Sequence, residues 1–226
     1  MAESTSAIRR EDASLVRTRK AGLQIQRVVV SNLPTSYGNF SIYGYREIQS
    51  GMEHVALVHG SLPLATPTLV RIHSECLTGE AFGSLRCDCR EQLDKALEAI
   101  AHAGSGVVVY LRGHEGRGIG LINKLRAYAL QDTGRDTSGA NTELGLPVDA
   151  RDYAAAFAIL EDLGVRSLRL MTNNPDKISA ADKAGFPVER IPLFGVVNAD
   201  NKRYLGTKLA KFGHLFPDLD ENSNNR

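Results

Sequence analysis

The sequence predicts an α/β protein, a sheet covered by helices with a β-rich first part. Three observations carry that expectation. From Gln26 to about residue 75 the chain is rich in β-branched and aromatic residues broken by Pro, Gly, Ser and Asn, the composition of short strands joined by turns. From residue 88 onward, segments with apolar residues at helical spacing alternate with short apolar runs, so helices and strands should follow one another. The length of 226 residues, with 42% hydrophobic and 23% charged residues, gives enough apolar material for one main core.

Residues 1–24 are polar and charged without hydrophobic periodicity, and are expected to form a flexible N-terminal extension. The segments RVVVSNLPTSYGNFSIYGYREI and HVALVHG predict strands, and TLVRIHSE predicts another. REQLDKALEAIAHAG places Leu93, Leu97 and Ile100 at helical spacing and stops at Gly104, after which GVVVYLRG reads as a buried strand. LINKLRAYALQD and DARDYAAAFAILEDLG repeat the helical spacing, SLRLMT predicts a strand, and PDKISAADKAG a short helix. Residues 25–217 are thus expected to form a single domain, with 218–226 as a flexible tail.

Charge and composition narrow the function. Lys+Arg (27) nearly balances Asp+Glu (26), which argues against a protein built to coat nucleic acid or an anionic membrane, so any anion site must be local. No apolar run approaches the roughly 18 residues of a membrane span, and the start lacks the apolar core of a secretory signal, so a cytoplasmic protein is expected. Three cysteines, Cys76, Cys87 and Cys89, are an odd number in one short stretch and a poor disulfide framework.

Those cysteines supply three soft donors, and a catalytic zinc site typically takes three protein ligands and leaves a fourth position open. His73, three residues before Cys76, is an alternative fourth ligand that would make the site structural. Three small core hydrophobes is the plain reading. Arg71, His73, Ser74, Glu75, Arg86, Asp88 and Arg90 surround the thiols in sequence, an environment too polar for inert core cysteines, and metal binding is the better reading.

Two segments suit phosphate. LRGHEGRGIGLINK carries Gly113, Gly116, Gly118 and Gly120 among Arg112, Arg117 and Lys124 between a strand and a helix, although it is neither a P-loop nor a dinucleotide fingerprint. Glu115 within it would suit Mg²⁺ or a base amide rather than phosphate. In LMTNNPDKIS, Lys177 falls in the first turn of a helix, where a cation opposes the macrodipole and a bound anion would explain it. An ordinary Asn-capped helix with a solvated lysine is the alternative.

Taken in order, RIHSECLTG, SLRCDC, HEGRGIGL, NKLRAYALQD, the stretch Asp149 to Asp152 and TNNPDK closely resemble GTP cyclohydrolase II, from about Val28 to about Leu215. The resemblance implies a mixed β-sheet flanked by helices in α/β/α layers, and a homodimer. It implies opening of the imidazole ring of GTP with release of formate and pyrophosphate, giving 2,5-diamino-6-(5-phosphoribosylamino)pyrimidin-4(3H)-one, the first committed step of riboflavin biosynthesis. By the same resemblance Cys76, Cys87 and Cys89 match zinc ligands, with water in the fourth position, and His73 becomes part of the site wall. Arg71, Ile72, His73, Ser74 and Glu75 match one GTP-binding segment, and Gln92, Glu115, Gly116, Arg117, Thr137, Thr172 and Lys177 the remaining GTP contacts. Tyr128 matches a tyrosine associated with ring opening, Asp149 the proton acceptor and Arg151 the nucleophile.

Polyphosphate chemistry leads us to expect Mg²⁺ beside Zn²⁺. Arg90 stands where the family commonly has glycine, and His114 where glutamine is usual. An extension of about 24 residues is too short for the dihydroxybutanone phosphate synthase domain fused to many relatives, so a monofunctional chain is expected. The rival readings are the same reaction in a specialised-metabolite pathway and a non-catalytic nucleotide-binding zinc protein, the latter disfavoured by Tyr128, Asp149 and Arg151.

Overall fold

The computed structural model describes residues 15–17, 23–62, 66–133, 137–202, 205–206, 209 and 213–215. The expected C-terminal tail and most of the expected N-terminal extension lie outside them. Within that extension, Leu15–Arg17 form a strand, β1, paired with the next one.

Strands β2 (Gln24–Thr35), β3 (Gly38–Glu47) and β4 (Glu53–His59) form an antiparallel meander. Ser36 and Tyr37 make the first turn, closed by Thr35 Oγ1 donating to the Gly38 carbonyl at 2.7 Å. Beyond β4 the chain enters β5 (Thr68–Ser74), α1 (Leu77–Glu80), α2 (Cys89–His102) and β6 (Gly106–Leu111). A 3₁₀ turn (Glu115–Gly118) leads to α3 (Leu121–Asp132), α4 (Thr137–Glu143) and α5 (Ala154–Asp162). The last elements are β7 (Leu168–Met171), α6 (Pro175–Ala184) and β8 (Val188–Ile191).

Among the described residues eight strands join one sheet in the order β1-β2-β3-β4-β6-β5-β7-β8. It is antiparallel as far as β6 and parallel from β6 through β5 and β7 to β8, the mixed sheet the resemblance implied. Side chains of a strand alternate between faces, and β6 uses both: Val107, Val109 and Leu111 join the core under α5 and α6, while Val108 joins the core under α2. Leu97 and Ile100 pack in the α2 core with Leu93 at its margin, as their spacing predicted. The sheet therefore lies between helical layers.

Helix α5 buries Ala155 through Leu160 without interruption, and its alanines permit close approach to the sheet. The predicted helical segment beginning at Asp149 is shorter than expected: residues 149–153 remain outside the helix, and Asp149 and Arg151 lie on the loop before it. Helix α6 follows the capping rules, with Asn174 accepting from the Asp176 amide at 2.9 Å, Pro175 at its first position and Gly185 closing it at φ 86°.

Candidate functional site

From β5 the chain crosses to β6 on one side, and from β7 it continues to β8 on the other. Such a divergence opens a crevice beyond the carboxyl ends of the strands. A cavity of about 1140 Å³, open mouth included, lies there, lined by residues following β5, β6 and β7 and by α3. Alternation along β5 sends Leu69 into the α2 core and Val70 and Ile72 into the other; it leaves Arg71 and His73 on the cavity wall.

The thiols line part of it. Cys76 follows β5, Cys89 begins α2, and Cys87 sits just before it; all three are unoxidised and their sulfurs lie within 4.8 Å of one another. A Cβ on Gly79 would meet Cys87 Sγ at 2.7 Å and Cys76 Sγ at 3.2 Å, so only glycine lets α1 pass this close to the cluster. Hydrogen bonds from Cys87 and Cys89 to Cys76, reinforced by the charge of Lys124, push the Cys76 pKa far down against its burial. The thiolate so favoured pushes Cys87 up to about 11 and Cys89 well above its usual range. A positive ion would relieve this repulsion, and three sulfurs suit a soft or borderline metal. Among the described residues the group close enough to share an ion is the three thiols alone, and His73, whose Nε2 lies 2.9 Å from Glu80 Oε1, is not part of it.

Beneath the thiols, Lys124 Nζ donates to Cys76 Sγ at 3.1 Å, Thr78 Oγ1 at 2.8 Å and Glu115 Oε1 at 2.5 Å. Sequence reasoning grouped Lys124 with phosphate-binding residues; the fold turns it to the sulfur instead. Burial opposes its charge, yet the charges of Cys76 and Tyr128 and the hydrogen bond to Glu115 raise its pKa. Glu115 is buried, and its other oxygen accepts from the Leu77 amide at 2.6 Å. Tyr128 lies with Arg86 Cζ 4.8 Å and Lys124 Nζ 5.6 Å from its ring centre, and burial raises its pKa.

Further cations line the cavity. Arg71 is buried and donates to the Met171 carbonyl at 2.9 Å and to Gln92 Oε1 at 2.7 Å; burial lowers its pKa to about 10, and its Nε has no hydrogen-bond partner among the described residues. Gln92 in turn donates to Asp88 at 2.5 Å, an i, i+4 pair on α2. Lys177, buried in the first turn of α6, donates to the Ile72 carbonyl at 2.9 Å. The Asn-capped helix and the inward lysine are thus both present. Arg151 Nε and Nη2 grip Asp149, at 2.9 Å to one oxygen and 2.5 Å to the other. Burial raises the Asp149 pKa, but those hydrogen bonds and the Arg151 charge outweigh it and the net shift is downward.

The glycine-rich loop touches both groups of residues, Lys124 through Glu115 and the Asp149–Arg151 segment through Arg117. Gly116 and Arg117 have φ of 60° and 65°, Arg117 being the one non-glycine at positive φ among the described residues. That conformation costs an L-residue about 1 to 2 kcal/mol and tends to persist where surrounding structure enforces it. Here the Arg117 carbonyl accepts the Ala150 amide at 3.0 Å, tying the loop to the Asp149–Arg151 segment.

Of the other expected residues, Ser74, Glu75, Gln92, Gly116, Arg117 and Thr172 line the cavity. The Ile72 side chain lies in the core and contributes its carbonyl. Asp149 meets the cavity through Arg151, and Glu115 through Lys124. Thr137 begins α4, and its side chain lies outside the described residues. Arg90 is exposed and does not line the cavity, whereas His114 does, its Nδ1 3.0 Å from Ser74 Oγ. Burial, then the charges of Arg151 and Lys177, lower the His114 pKa to about 4.

Sequence reasoning missed the buried contacts of Lys124, the Glu80 carboxylate shared by His73 and Tyr110, and the Tyr153 ring. Lys177 Nζ lies 5.5 Å and Arg151 Cζ 5.8 Å from that ring's centre. The i, i+4 spacing of Asp88 and Gln92 was available as a signal; partners tens of residues apart leave none.

A family model described as GTP cyclohydrolase II matches residues 26–192. The riboflavin biosynthesis protein RibBA of Nocardia farcinica is 54% identical over 204 residues, covering 90% of this chain and 49% of that protein. RibBA of Salinispora tropica is 56% identical over 198 residues, covering 87% and 50%. The bifunctional riboflavin biosynthesis protein RIBA 1, chloroplastic, of Arabidopsis thaliana is 52% identical over 206 residues, covering 90% and 38%. The chain spans about half the length, or less, of these curated relatives. A solved structure of RibBX, a two-domain 3,4-dihydroxy-2-butanone 4-phosphate synthase from A. baumannii, matches with a TM-score of 0.37 and 24% identity over 66% of this chain and 34% of that one, too distant a likeness to carry an argument.

Proposed function

The chain belongs to the GTP cyclohydrolase II family, and from that premise we propose that it hydrolyses GTP, opening the imidazole ring and releasing formate and pyrophosphate to give 2,5-diamino-6-(5-phosphoribosylamino)pyrimidin-4(3H)-one. The observation that carries this reading is one cavity lined both by a three-thiol cluster and by Arg71, Arg151 and Lys177, in a chain of formal net charge +1. A triphosphate needs local cations, and ring opening needs an activated nucleophile some distance from them.

Cys76, Cys87 and Cys89 would hold zinc, which with three protein ligands supplies Lewis acidity and an activated water at neutral pH. Mg²⁺ would accompany the phosphates, whose oxygens are its natural ligands. Tyr128, a phenol protonated at neutral pH and held so more firmly by burial, can donate its proton to a ring nitrogen as the C–N bond breaks. A second hydrolysis then frees formate.

Arg151 is assigned as the nucleophile toward the α-phosphorus, with Asp149 as proton acceptor. A guanidinium is protonated at neutral pH, so attack requires loss of a proton, and the direct hydrogen bonds to Asp149 provide its path. A guanylyl adduct trapped under quenched single-turnover conditions, and absent from Arg151→Lys, is the expected result. Turnover without an adduct would assign Arg151 to stabilising charge on the departing pyrophosphate instead.

The reaction is assigned to riboflavin biosynthesis in the cytoplasm, with residues 25–217 as the catalytic domain of a homodimer that engages neither nucleic acid nor membrane. Among the described residues no helix is long and apolar enough to cross a membrane. The test is to incubate zinc-loaded protein with GTP and Mg²⁺ and follow formate, pyrophosphate and the pyrimidine together, with Cys87→Ser as control. All three products, lost in the variant, are expected. Pyrophosphate without formate would mean that ring opening has failed, and GTP binding without turnover would leave a nucleotide-binding zinc protein. Complementation of a riboflavin auxotroph separates the riboflavin pathway from a specialised one.

A further inference from the structure

We propose that Lys124 is a positioning residue for the metal centre: its ammonium holds the Cys76 thiolate by a hydrogen bond and lowers the electron donation of that sulfur to the ion. The inference rests on the reading of Cys76, Cys87 and Cys89 as a zinc site.

The geometry is specific. An ammonium has three protons, and Lys124 Nζ places them on Cys76 Sγ, Thr78 Oγ1 and Glu115 Oε1. Its side chain is only 10% exposed, and those partners are the residue capping α1, a residue within α1 and one in the 3₁₀ turn. Three thiolates around a divalent ion carry a net negative charge, which weakens the ion as a Lewis acid. A buried cation hydrogen-bonded to one sulfur offsets that charge where solvent cannot, and groups around metal ligands commonly tune the centre in this way. Glu115 anchors Lys124 from the opposite side and is itself fixed by the Leu77 amide. The lysine therefore links the glycine-rich loop to the metal ligands, which its place in the sequence did not suggest.

Cobalt(II) substitution provides a readout independent of activity, because the energy of thiolate-to-cobalt charge transfer follows the electron richness of the sulfurs. Wild-type protein, Lys124→Met, Lys124→Arg, Glu115→Gln and the double variant Lys124→Met/Glu115→Gln are loaded with cobalt and compared. The double variant removes the buried acid together with its partner, so a folded protein without the lysine can be measured. The band should move to longer wavelength in Lys124→Met and the double variant, and stay near the wild-type position in Lys124→Arg and Glu115→Gln. With zinc, kcat of the lysine-deleted proteins should fall by about 10- to 100-fold. A band that stays in place when the lysine is removed overturns the proposal. A band displaced equally in Glu115→Gln overturns it too, because the carboxylate would then be the tuning group. Failure of wild-type protein to take up cobalt would instead defeat the metal-site reading on which the inference stands.

Discussion

Around the thiols the polar groups of Lys124 and Glu115 are matched within the protein, whereas at Arg71 and His73 on the same cavity wall buried nitrogens are left over. Lys124 and Glu115 spend their hydrogen bonds on Cys76, Thr78, Leu77 and each other. Arg71 Nε and His73 Nδ1 are buried without a hydrogen-bond partner among the described residues. An unmet buried donor costs about 1 to 3 kcal/mol, so a fold that keeps one gains when a ligand meets it. On the proposed function, the thiol region would hold an ion whose surroundings are prearranged, and the unmet nitrogens would be completed by a substrate.

The sharpest way to break this contrast is at Gly79. Gly79→Val should drive side-chain atoms into the sulfurs of Cys76 and Cys87, with loss of metal stoichiometry and of product formation together, read by metal analysis and formate release. Next comes the cation group alone. Arg151→Lys loses the two-pronged grip on Asp149 and should lower kcat by about 100- to 1,000-fold while bound metal stays at the wild-type level. Parallel loss of metal in that variant would mean that the two groups are not independent.

His114, on the cavity wall against Ser74, tests a further part of the site through pH. Its pKa is lowered to about 4, so below its unfolded value of about 6.5 the unfolded chain takes up the proton first. The stability contributed by the neutral ring is complete above about pH 6.5 and is lost as pH falls toward 4. Relative to His114→Gln, the wild-type protein should lose roughly 2 to 3 kcal/mol more unfolding free energy between about pH 7 and pH 4.5, measured by urea denaturation. Equal slopes in the two proteins would show that His114 is not the group responsible. The smallest effect is expected from Asn174→Ala, which removes the α6 cap and should cost about 1 kcal/mol of stability, with little change at the thiols.

Much of this molecule was legible before folding. The alternation of helical and strand patterns located α2, β6, α3, β7 and α6 closely, because each carries its own periodicity and stop signal: Gly104 after α2, Gly185 after α6. The start of α5 was misplaced because residues 149–153 continue its composition while their backbone forms a loop, tethered at Ala150 to the Arg117 carbonyl. The pairing of Leu15–Arg17 was missed for a related reason: three residues are too few to show an alternating pattern.

The sequence alone determined the chemistry available: three thiols within fourteen residues, a glycine-rich loop between a strand and a helix, and a lysine in the first turn of an Asn-capped helix. These are local properties of the chain, set by residue type and spacing. Tertiary structure alone decided which groups face one another. It turned Lys124 from a phosphate candidate into a partner of Cys76 across 48 residues, bonded His73 to Glu80, and brought Arg71 to Met171 across 100. The physical reason is that crossing connections in a mixed sheet gather the ends of strands distant in sequence, and burial there compels each charge to find a partner that no local pattern specifies.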